Sequence, residues 1–371
     1  MAPPAFPAPG DYEHTDIVVG INTSAAGKFL NVRKFIVQPG VTLGVVQYDG
    51  SLLGTDNLPT SNTGALVVEA EEVTVYGTVD ARGAGYGGGG GGGGGGGSSS
   101  PGSSEYGSGG AAGLAGAVAN NGGQGDSGAF SIQLPLRLGN SAGGSGGAGG
   151  GPYGAPGGLG GTSGMGGGSA GAGPYLQDET TFMGSGGGGG AGGYGATAVP
   201  NAGPHAYSGG GGGGGAGWRG GGVIRFIASV QINIFGSVLT GGKASESGHN
   251  AGETGNAHGQ DGGRGGNGNV DGGSAGGIGN TYNLYTGGTG HTGGGGAGGT
   301  VLLKFRSRGS QITAGPRVGI TGTVDAREWL IPLYGGTVKI FTPSYSLTGA
   351  INTRTEGPYR PYVLPFGTMA G

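Results

Sequence analysis

Few side chains in this sequence could carry out catalysis, and they lie far apart along the chain. A Gly-Asp-Ser-Gly run offers the hydroxyl of Ser127 as a nucleophile, but such a serine needs a histidine base that a buried aspartate orients. The one histidine before it, His14, follows a proline-rich segment. The sequence therefore predicts no serine nucleophile site.

Carboxylates offer a second possible chemistry, the hydrolysis of glycosidic bonds, which takes two carboxyl groups about 5–10 Å apart. The candidates are Glu69, Glu71, Asp80 and Asp325. Asp80 precedes Arg82 by the same spacing that separates Asp325 from Arg327, which favours repeated structural ion pairs. We therefore expect a protein that is not an enzyme.

Signals for metals, cofactors and nucleic acids are also weak. The chain has no cysteine, and its later histidines lack the spacing of metal ligands; these are His205, His249, His258 and His291. Segment 265–271 approximates a calcium-binding nonapeptide but is not repeated. Arg219 and Arg264 each precede two glycines, as in RNA-binding segments, yet the net charge is -3. We expect no metal, cofactor or nucleic acid, and we expect Arg219 to donate to backbone carbonyls.

Glycine dominates the composition. It supplies 108 of the 371 residues, whereas hydrophobic residues make up 33% and charged residues 10%. Ordinary domains contain about 7% glycine and about 45–50% apolar residues, so one large conventional core is excluded. No stretch of about 18 apolar residues predicts a membrane helix, and the first residues lack the pattern of a secretory signal.

A ten-residue strand pattern recurs four times, at 73–82, 232–241, 318–327 and 345–354. Apolar residues alternate along each copy, which indicates a half-buried strand, and glycine at the fifth place predicts a corner. A second apolar strand, which starts after glycine, precedes each copy. Two strands joined at a glycine corner resemble one coil of a solenoid, and such coils must stack to cover their apolar faces.

Alignment of the four copies predicts contacts between coils. We expect one buried column of side chains made by Val75, Ile234, Ile320 and Leu347. Segment 35–43 resembles a fifth, poorer copy, and we expect it to cap the stack.

The residues between copies are rich in glycine and begin just after each copy ends. Insertions that leave a solenoid at one corner emerge side by side on one face. The sequence therefore predicts an all-β protein with a β-solenoid-like stem and an inserted glycine-rich lobe. Its parts are an N-terminal arm (1–34), the β stem (35–82, 223–241 and 300–356), the glycine-rich lobe (83–222 and 242–299) and a C-terminal tail (357–371).

The glycine pattern restricts the architecture of this lobe. Collagen needs glycine at every third position, but segments 87–97 and 209–215 are unbroken glycine. A silk-like protein would repeat one short unit, and the units here are irregular. A flexible linker and a bundle of left-handed extended helices of polyproline II type stay open. We expect the bundle, because only glycine lets such helices approach on all sides.

Glycine runs broken by loops such as 151–156 and 200–207 resemble the polyglycine sandwich of receptor-binding adhesins at the tips of bacteriophage tail fibres. The runs are 87–97, 186–190 and 209–215. The resemblance implies that the lobe packs as polyglycine II helices into a rigid core. It also implies that loops at one end bind a receptor on the bacterial surface.

Tyrosines in the lobe are the candidate binding residues, because tyrosine offers a large rigid contact area at low entropic cost. Four of them lie in mixed loops with proline or asparagine and are the predicted receptor-binding residues: Tyr153, Tyr175, Tyr207 and Tyr282. We expect tyrosines that adjoin pure glycine, such as Tyr86 and Tyr194, to pack on the flanks of the glycine helices.

These features favour a structural virion protein, most readily a phage tail-fibre or tail-tip component that recognises the host cell surface. A purely structural role, as a capsid or tail decoration or as a subunit of an extracellular filament, stays open. The expected partners are other virion proteins, copies of this chain and a bacterial surface receptor, either protein or polysaccharide, with no membrane insertion. The protein would be assembled in the host cytoplasm and would be extracellular as part of the particle.

The proline-rich ends of the chain carry a separate expectation. Segments 2–9 and 357–366 contain too little sequence to fold alone, and proline lowers the entropy lost when a segment becomes ordered. We expect one or both ends to dock on a neighbouring subunit.

Overall fold

The computed structural model describes residues 6–92, 145, 178–192, 217–242, 281–282, 285–286, 297–306, 317–326, 336–353 and 362–365. These residues form β-strands and contain no helix, so the predicted all-β class is confirmed. Within the described part, no helix is long and apolar enough to cross a membrane.

Two sheets with parallel pairing contain nearly all the strands. The main path of the ten-stranded sheet A is, in order, β1 (Gly10–Asp11), β4 (Gly27–Val37), β6 (Ala65–Val75), β8 (Val223–Ile234), β12 (Thr300–Phe305), β15 (Thr337–Thr342) and β18 (Tyr362–Pro365). Three shorter strands extend this sheet: β2 (Ile17–Val19) on β4, β13 (Val318–Ile320) on β8, and β16 (Tyr345–Leu347) on β13.

Sheet B has six short strands. Their order is β17 (Ala350–Asn352), β14 (Thr323–Asp325), β9 (Ser237–Leu239), β7 (Thr78–Asp80), β5 (Thr42–Val45) and β3 (Thr23–Ala25). A separate antiparallel pair joins β10 (Thr281–Tyr282) to β11 (Tyr285–Thr286).

The same order of strands recurs along the chain. A strand of sheet A is followed, after a corner, by a short strand of sheet B, as in β6 to β7, β8 to β9, β13 to β14 and β16 to β17. Each new pair lies beside the previous pair in both sheets. Apolar side chains therefore stack between the sheets, where Leu43, Val79, Val238 and Val324 are fully buried.

The predicted column in sheet A is present. Val75 pairs with Ile234, Ile234 with Ile320, and Ile320 with Leu347. The first three side chains are buried, whereas Leu347 on the outermost strand of this path is 41% exposed. Alternation with a period of two is therefore sufficient to set the strand register here.

The expectation that segment 35–43 caps the stack is wrong. Strand β4 lies between β2 and β6 rather than at the edge of the sheet. The expected boundary at residue 34 falls inside β4. The strands that lie beyond segment 35–43, β2 and β3, are difficult to recognise in the sequence because each has only three residues. β4 itself contains an irregularity between Phe29 and Val32, where Asn31 has a φ of 50°.

The corner glycines form a column of close backbone contacts. A Cβ atom added at Gly236 would lie 1.9 Å from the carbonyl oxygen of Gly77, and one at Gly322 would lie 2.0 Å from that of Gly236. Real Cβ contacts are essentially never shorter than 3.0 Å. The fifth place of the pattern therefore needs glycine, because the backbone of the next repeat of the strand pattern approaches it directly.

Both described end segments pack on the chain's own sheet. The ring centroid of Phe6 lies 5.5 Å from that of Phe29, and Tyr12 contacts the same ring. At the other end, β18 pairs with β15. Contacts within the chain are therefore sufficient to hold these described parts in place, without a neighbouring subunit.

Candidate functional site

The insertions between successive strand pairs start and end at one place in the structure. The chain leaves sheet B and returns to sheet A through residues that are directly hydrogen bonded, so each insertion is closed at its root. These bonds run from Gly64 N to Val46 O (2.7 Å), from Gly222 N to Ala81 O (2.7 Å), from Gly299 N to Thr240 O (2.7 Å) and from Gly336 N to Ala326 O (2.5 Å). The four insertions therefore emerge from the same corner of successive strand pairs. The sequence predicts this for the three insertions that follow the strand pattern, but it does not predict the insertion 47–63.

Above this corner, three glycine-rich segments are bonded to one another. They are 84–92, 183–192 and 217–222, which we call the glycine root. The bonds between the first two run from Tyr86 N to Gly184 O, from Gly89 N to Gly187 O and from Gly92 N to Gly190 O, at 2.9–3.1 Å. Donors and acceptors both advance by three residues, so the two segments run in the same direction with a period of three.

The third segment joins both of the others. Gly184 N donates to Gly221 O and Gly187 N to Trp218 O, while Gly217 N donates to Gly89 O. Here the donor number rises as the acceptor number falls, so segment 217–222 runs in the opposite direction. Each segment therefore pairs with the other two, although they are more than 20 residues apart in sequence.

Close approach in the glycine root leaves no room for side chains at the inner positions. An added Cβ would lie 2.0 Å from Gly217 O at Gly88, 2.0 Å from Gly90 O at Gly189 and 1.9 Å from Gly184 O at Gly220. A carbonyl oxygen of the neighbouring segment blocks each position. Packing therefore requires glycine at these positions, whereas a flexible linker would accept other residues there.

Arg219 lies buried in the glycine root, with 2% of its surface exposed. Its Nε donates to the carbonyl oxygen of Gly83 at 3.0 Å. This bond confirms the prediction that Arg219 donates to backbone carbonyls.

An acidic strap, residues 178–183, attaches the second glycine segment to the outer face of sheet A. The buried Lys339 donates through Nζ to the carbonyl oxygens of Asp178 (2.9 Å) and Thr180 (2.6 Å). Lys304 forms an ion pair with Glu179, and burial lowers the pKa of Lys339 below its ordinary value. These charged contacts fix the position from which segment 184–192 starts.

A small apolar cluster connects the glycine root to the insertion 47–63. Tyr48 and Tyr86 meet edge to face with ring centroids 5.2 Å apart, and the cluster also contains Leu58, Val67 and Met183. Tyr86 is buried, so the prediction that it packs beside the glycine segments is confirmed. The cluster gives the root lateral support that hydrogen bonds alone would not supply.

Ionisation of Tyr48 provides a test of this cluster. Burial raises its pKa from 10.0 to about 12, and its hydroxyl donates to Ser51 O. The free energy of unfolding should be unaffected by this group below pH 10 and should fall as the pH rises towards about 12, because only the unfolded chain then ionises readily. Chemical denaturation across this range should show a smaller loss for Tyr48→Phe than for wild type. Equal losses in both proteins would contradict the buried position of Tyr48.

The predicted receptor-binding tyrosines are not brought together in the described part. Tyr153, Tyr175 and Tyr207 lie outside the described residues. Tyr282 lies in β10, where it pairs with Tyr285 of β11. The hypothesis that these four residues bind a receptor therefore stays a prediction.

Two of the four carboxylates considered for catalysis form ion pairs with arginine, and Asp325 accepts a hydrogen bond from the side-chain amide of Asn352. Asp80 accepts two hydrogen bonds from the guanidinium of Arg82, at 2.9 and 2.6 Å, as predicted for this pair, and Glu69 binds Arg306 at 3.2 Å. Glu71 lies 3.6 Å from His14. Arg327, Ser127 and the four later histidines lie outside the described residues. Among the described residues, no group of three or more acidic, histidine or cysteine side chains could hold a metal ion.

Sequence reasoning did not identify the acidic strap or the role of Tyr48. The strap carries a sequence signal, because Asp178 and Glu179 are an isolated acidic pair within a long stretch poor in charge. Their partners Lys304 and Lys339 are more than 120 residues away, so the signal does not identify the contact.

Comparisons with family models, curated proteins and solved structures found no match to this chain. The functional assignment therefore depends on the geometry of the sheets and of the glycine root.

Proposed function

We propose that this chain is a structural virion protein, a tail-fibre or tail-tip component that recognises the host cell surface. Its β-solenoid stem carries a glycine-rich lobe of polyglycine II helices, and the lobe presents receptor-binding loops. The observation that carries this proposal is the period-three hydrogen bonding between the segments of the glycine root.

The stem proposal is supported by repeated stacking. Strands of sheet A and sheet B alternate along the chain, and consecutive pairs lie side by side with parallel register. The corner glycines approach one another in order from Gly77 to Gly349. Such stacking through nearest neighbours is the way in which a solenoid buries the apolar faces of its coils.

The lobe proposal is supported by the hydrogen-bond period. A polyproline II-type helix has three residues per turn and no internal hydrogen bonds, so its backbone groups must bond to neighbours. The bonds at residues 86, 89 and 92 have this period and go to another segment. Among the described residues of the glycine root, no glycine has a positive φ, which agrees with the extended, negative φ of such a helix.

A rigid root favours a role in display over a role as a tether. All four insertions are closed at one corner, so the loops that they carry start from neighbouring, fixed points. Loops rich in tyrosine, serine, glycine and asparagine bind partners well when a rigid scaffold holds them. The ion pairs of Asp80 and Glu69 favour binding over hydrolysis.

Binding to bacterial cells tests this proposal. The full chain, labelled with a fluorophore, is incubated with a panel of Gram-negative and Gram-positive cells and measured by flow cytometry. A variant with alanine at Tyr153, Tyr175, Tyr207 and Tyr282 should bind roughly tenfold more weakly or worse, since aromatic contacts dominate many interfaces. Its thermal midpoint should match that of wild type.

The control replaces Tyr76 and Tyr345 with alanine, because both are 47% exposed and lie in the stem. This variant should bind as wild type does. Equal binding by the four-tyrosine variant would reject these residues as the receptor site. Absence of binding to every cell type would favour the purely structural alternative.

A further inference from the structure

The outer face of sheet B borders a second candidate site, apart from the loops of the lobe. An open groove of about 590 Å³ lies between this face and the glycine root. Its lining includes Ser24, Thr42, Gln47, Asp80, Arg82 and Trp218. Its volume falls within the range of about 300–1,000 Å³ that is typical of small-ligand sites.

Strand register explains why the floor of the groove is open. Ser24, Gly44 and Asp80 are neighbours across β3, β5 and β7, and they point away from the core because Leu43 and Val79 point into it;. Gly44 leaves a notch between the two side chains, and a Cβ there would lie 3.0 Å from Ser24 Oγ. The notch gives a ligand access to the side chains of both Ser24 and Asp80.

The charged groups of the groove are paired and already oriented. Arg82 donates through Nε and Nη2 to the two oxygens of Asp80, and both side chains stay partly exposed. Asp80 has remaining acceptor capacity and Arg82 has remaining donors. The pair therefore offers acceptors and donors side by side without a net charge, which disfavours phosphate and other anions.

Neutral polar and apolar groups complete the lining. Ser24, Thr42 and Gln47 can each donate and accept hydrogen bonds. Val46, which is 39% exposed, provides apolar surface next to them. Trp218 forms part of the wall, and its buried indole Nε1 has no hydrogen-bond partner among the described residues.

These features match a sugar better than a peptide. Adjacent hydroxyls of a sugar ring donate and accept side by side, and the C–H face of the ring is apolar. An extended peptide binds a sheet by adding a strand at a free edge. β5 and β7 in the floor are each paired on both sides, and β3, the end strand of sheet B, lines the groove only through Ser24. The geometry points to a groove that binds a neutral oligosaccharide segment. Binding there does not depend on the virion assignment.

Saturation-transfer NMR and calorimetry with the full chain test this inference. The probes are short neutral oligosaccharides of the malto, cello, xylo and chito series, with oligogalacturonate as the anionic comparison and a mixed peptide pool as the alternative ligand. At least one neutral series should bind at millimolar concentration or below. Oligogalacturonate and the peptides should bind more weakly.

Two variants locate the site. Ser24→Trp fills the notch, and Asp80→Asn removes the charged acceptor; each should weaken binding roughly tenfold or more. The matched pair is Thr42→Val in the groove and Thr323→Val, which lies in the same outward column of sheet B but does not line the groove. Only the first of these two should weaken binding.

Three results would overturn the inference. One is the absence of binding by every neutral series, and another is stronger binding of peptides or of oligogalacturonate. The third is unchanged sugar binding by Ser24→Trp and Asp80→Asn. If the four-tyrosine variant alone lost sugar binding, the groove would be rejected while receptor binding by the loops would be supported.

Discussion

Replacement of Gly189 by alanine should lower the free energy of unfolding by about 3 kcal/mol. The new Cβ would lie 2.0 Å from the carbonyl oxygen of Gly90, so the two segments must separate. Their separation would weaken the hydrogen bonds from Gly89 to Gly187 and from Gly92 to Gly190. Gly88→Ala should have a similar effect, because its Cβ would meet Gly217 O at 2.0 Å.

Gly10→Ala is the matched control, because a Cβ at Gly10 has no neighbour within 4 Å. Its thermal midpoint should stay within a degree or two of wild type, whereas those of Gly88→Ala and Gly189→Ala should fall by roughly 5 °C or more. The comparison distinguishes a packed bundle from a tether. If all three variants melted together with wild type, the glycine root would not be packed.

Gly236→Ala should destabilise the stem by a comparable amount. Its Cβ would lie 1.9 Å from Gly77 O and 2.4 Å from Tyr76 O, and both atoms belong to the adjacent repeat of the strand pattern. Relief of the clash would push β8 away from β6 and disturb the column through Val75 and Ile234. The expected loss is about 3 kcal/mol, measured by denaturant unfolding followed by far-UV circular dichroism.

Ser237→Ala controls for a substitution at the same corner. Its backbone N–H keeps its bond to Gly77 O, and the side chain is only partly buried. This variant should unfold within about 0.5 kcal/mol of wild type. A Gly236→Ala protein as stable as Ser237→Ala would show that the corner glycines do not stack as described.

The sequence predicts the parts of the fold that depend on local repetition. Alternating apolar residues and a glycine at the fifth place are sufficient to align Val75, Ile234 and Ile320, because one residue of slip would turn every apolar side chain outwards. The pattern fails for β4, where Asn31 adopts a left-handed conformation and breaks the alternation. The N-terminal strands therefore resemble the later copies less closely.

Contacts between distant segments could not be predicted in the same way. Glycine composition indicates close packing, but runs of identical residues contain no information about which run pairs with which. Near their ends, segments 84–92 and 183–192 are held by contacts such as those of Tyr86 with Tyr48 and of Lys339 with Asp178. Contacts between single residues do not repeat along the chain, so no periodic pattern in the sequence indicates them.

Amide hydrogen exchange of the full chain tests most directly whether the glycine root is a hydrogen-bonded bundle. Segments 84–92 and 183–192 are followed by mass spectrometry, with attention to the amides of Gly89, Gly92 and Gly187, which donate to carbonyls of other segments. These amides should exchange orders of magnitude more slowly than those of an unstructured glycine peptide. Exchange at the rate of the unstructured peptide would contradict the bundle and the rigid display that depends on it.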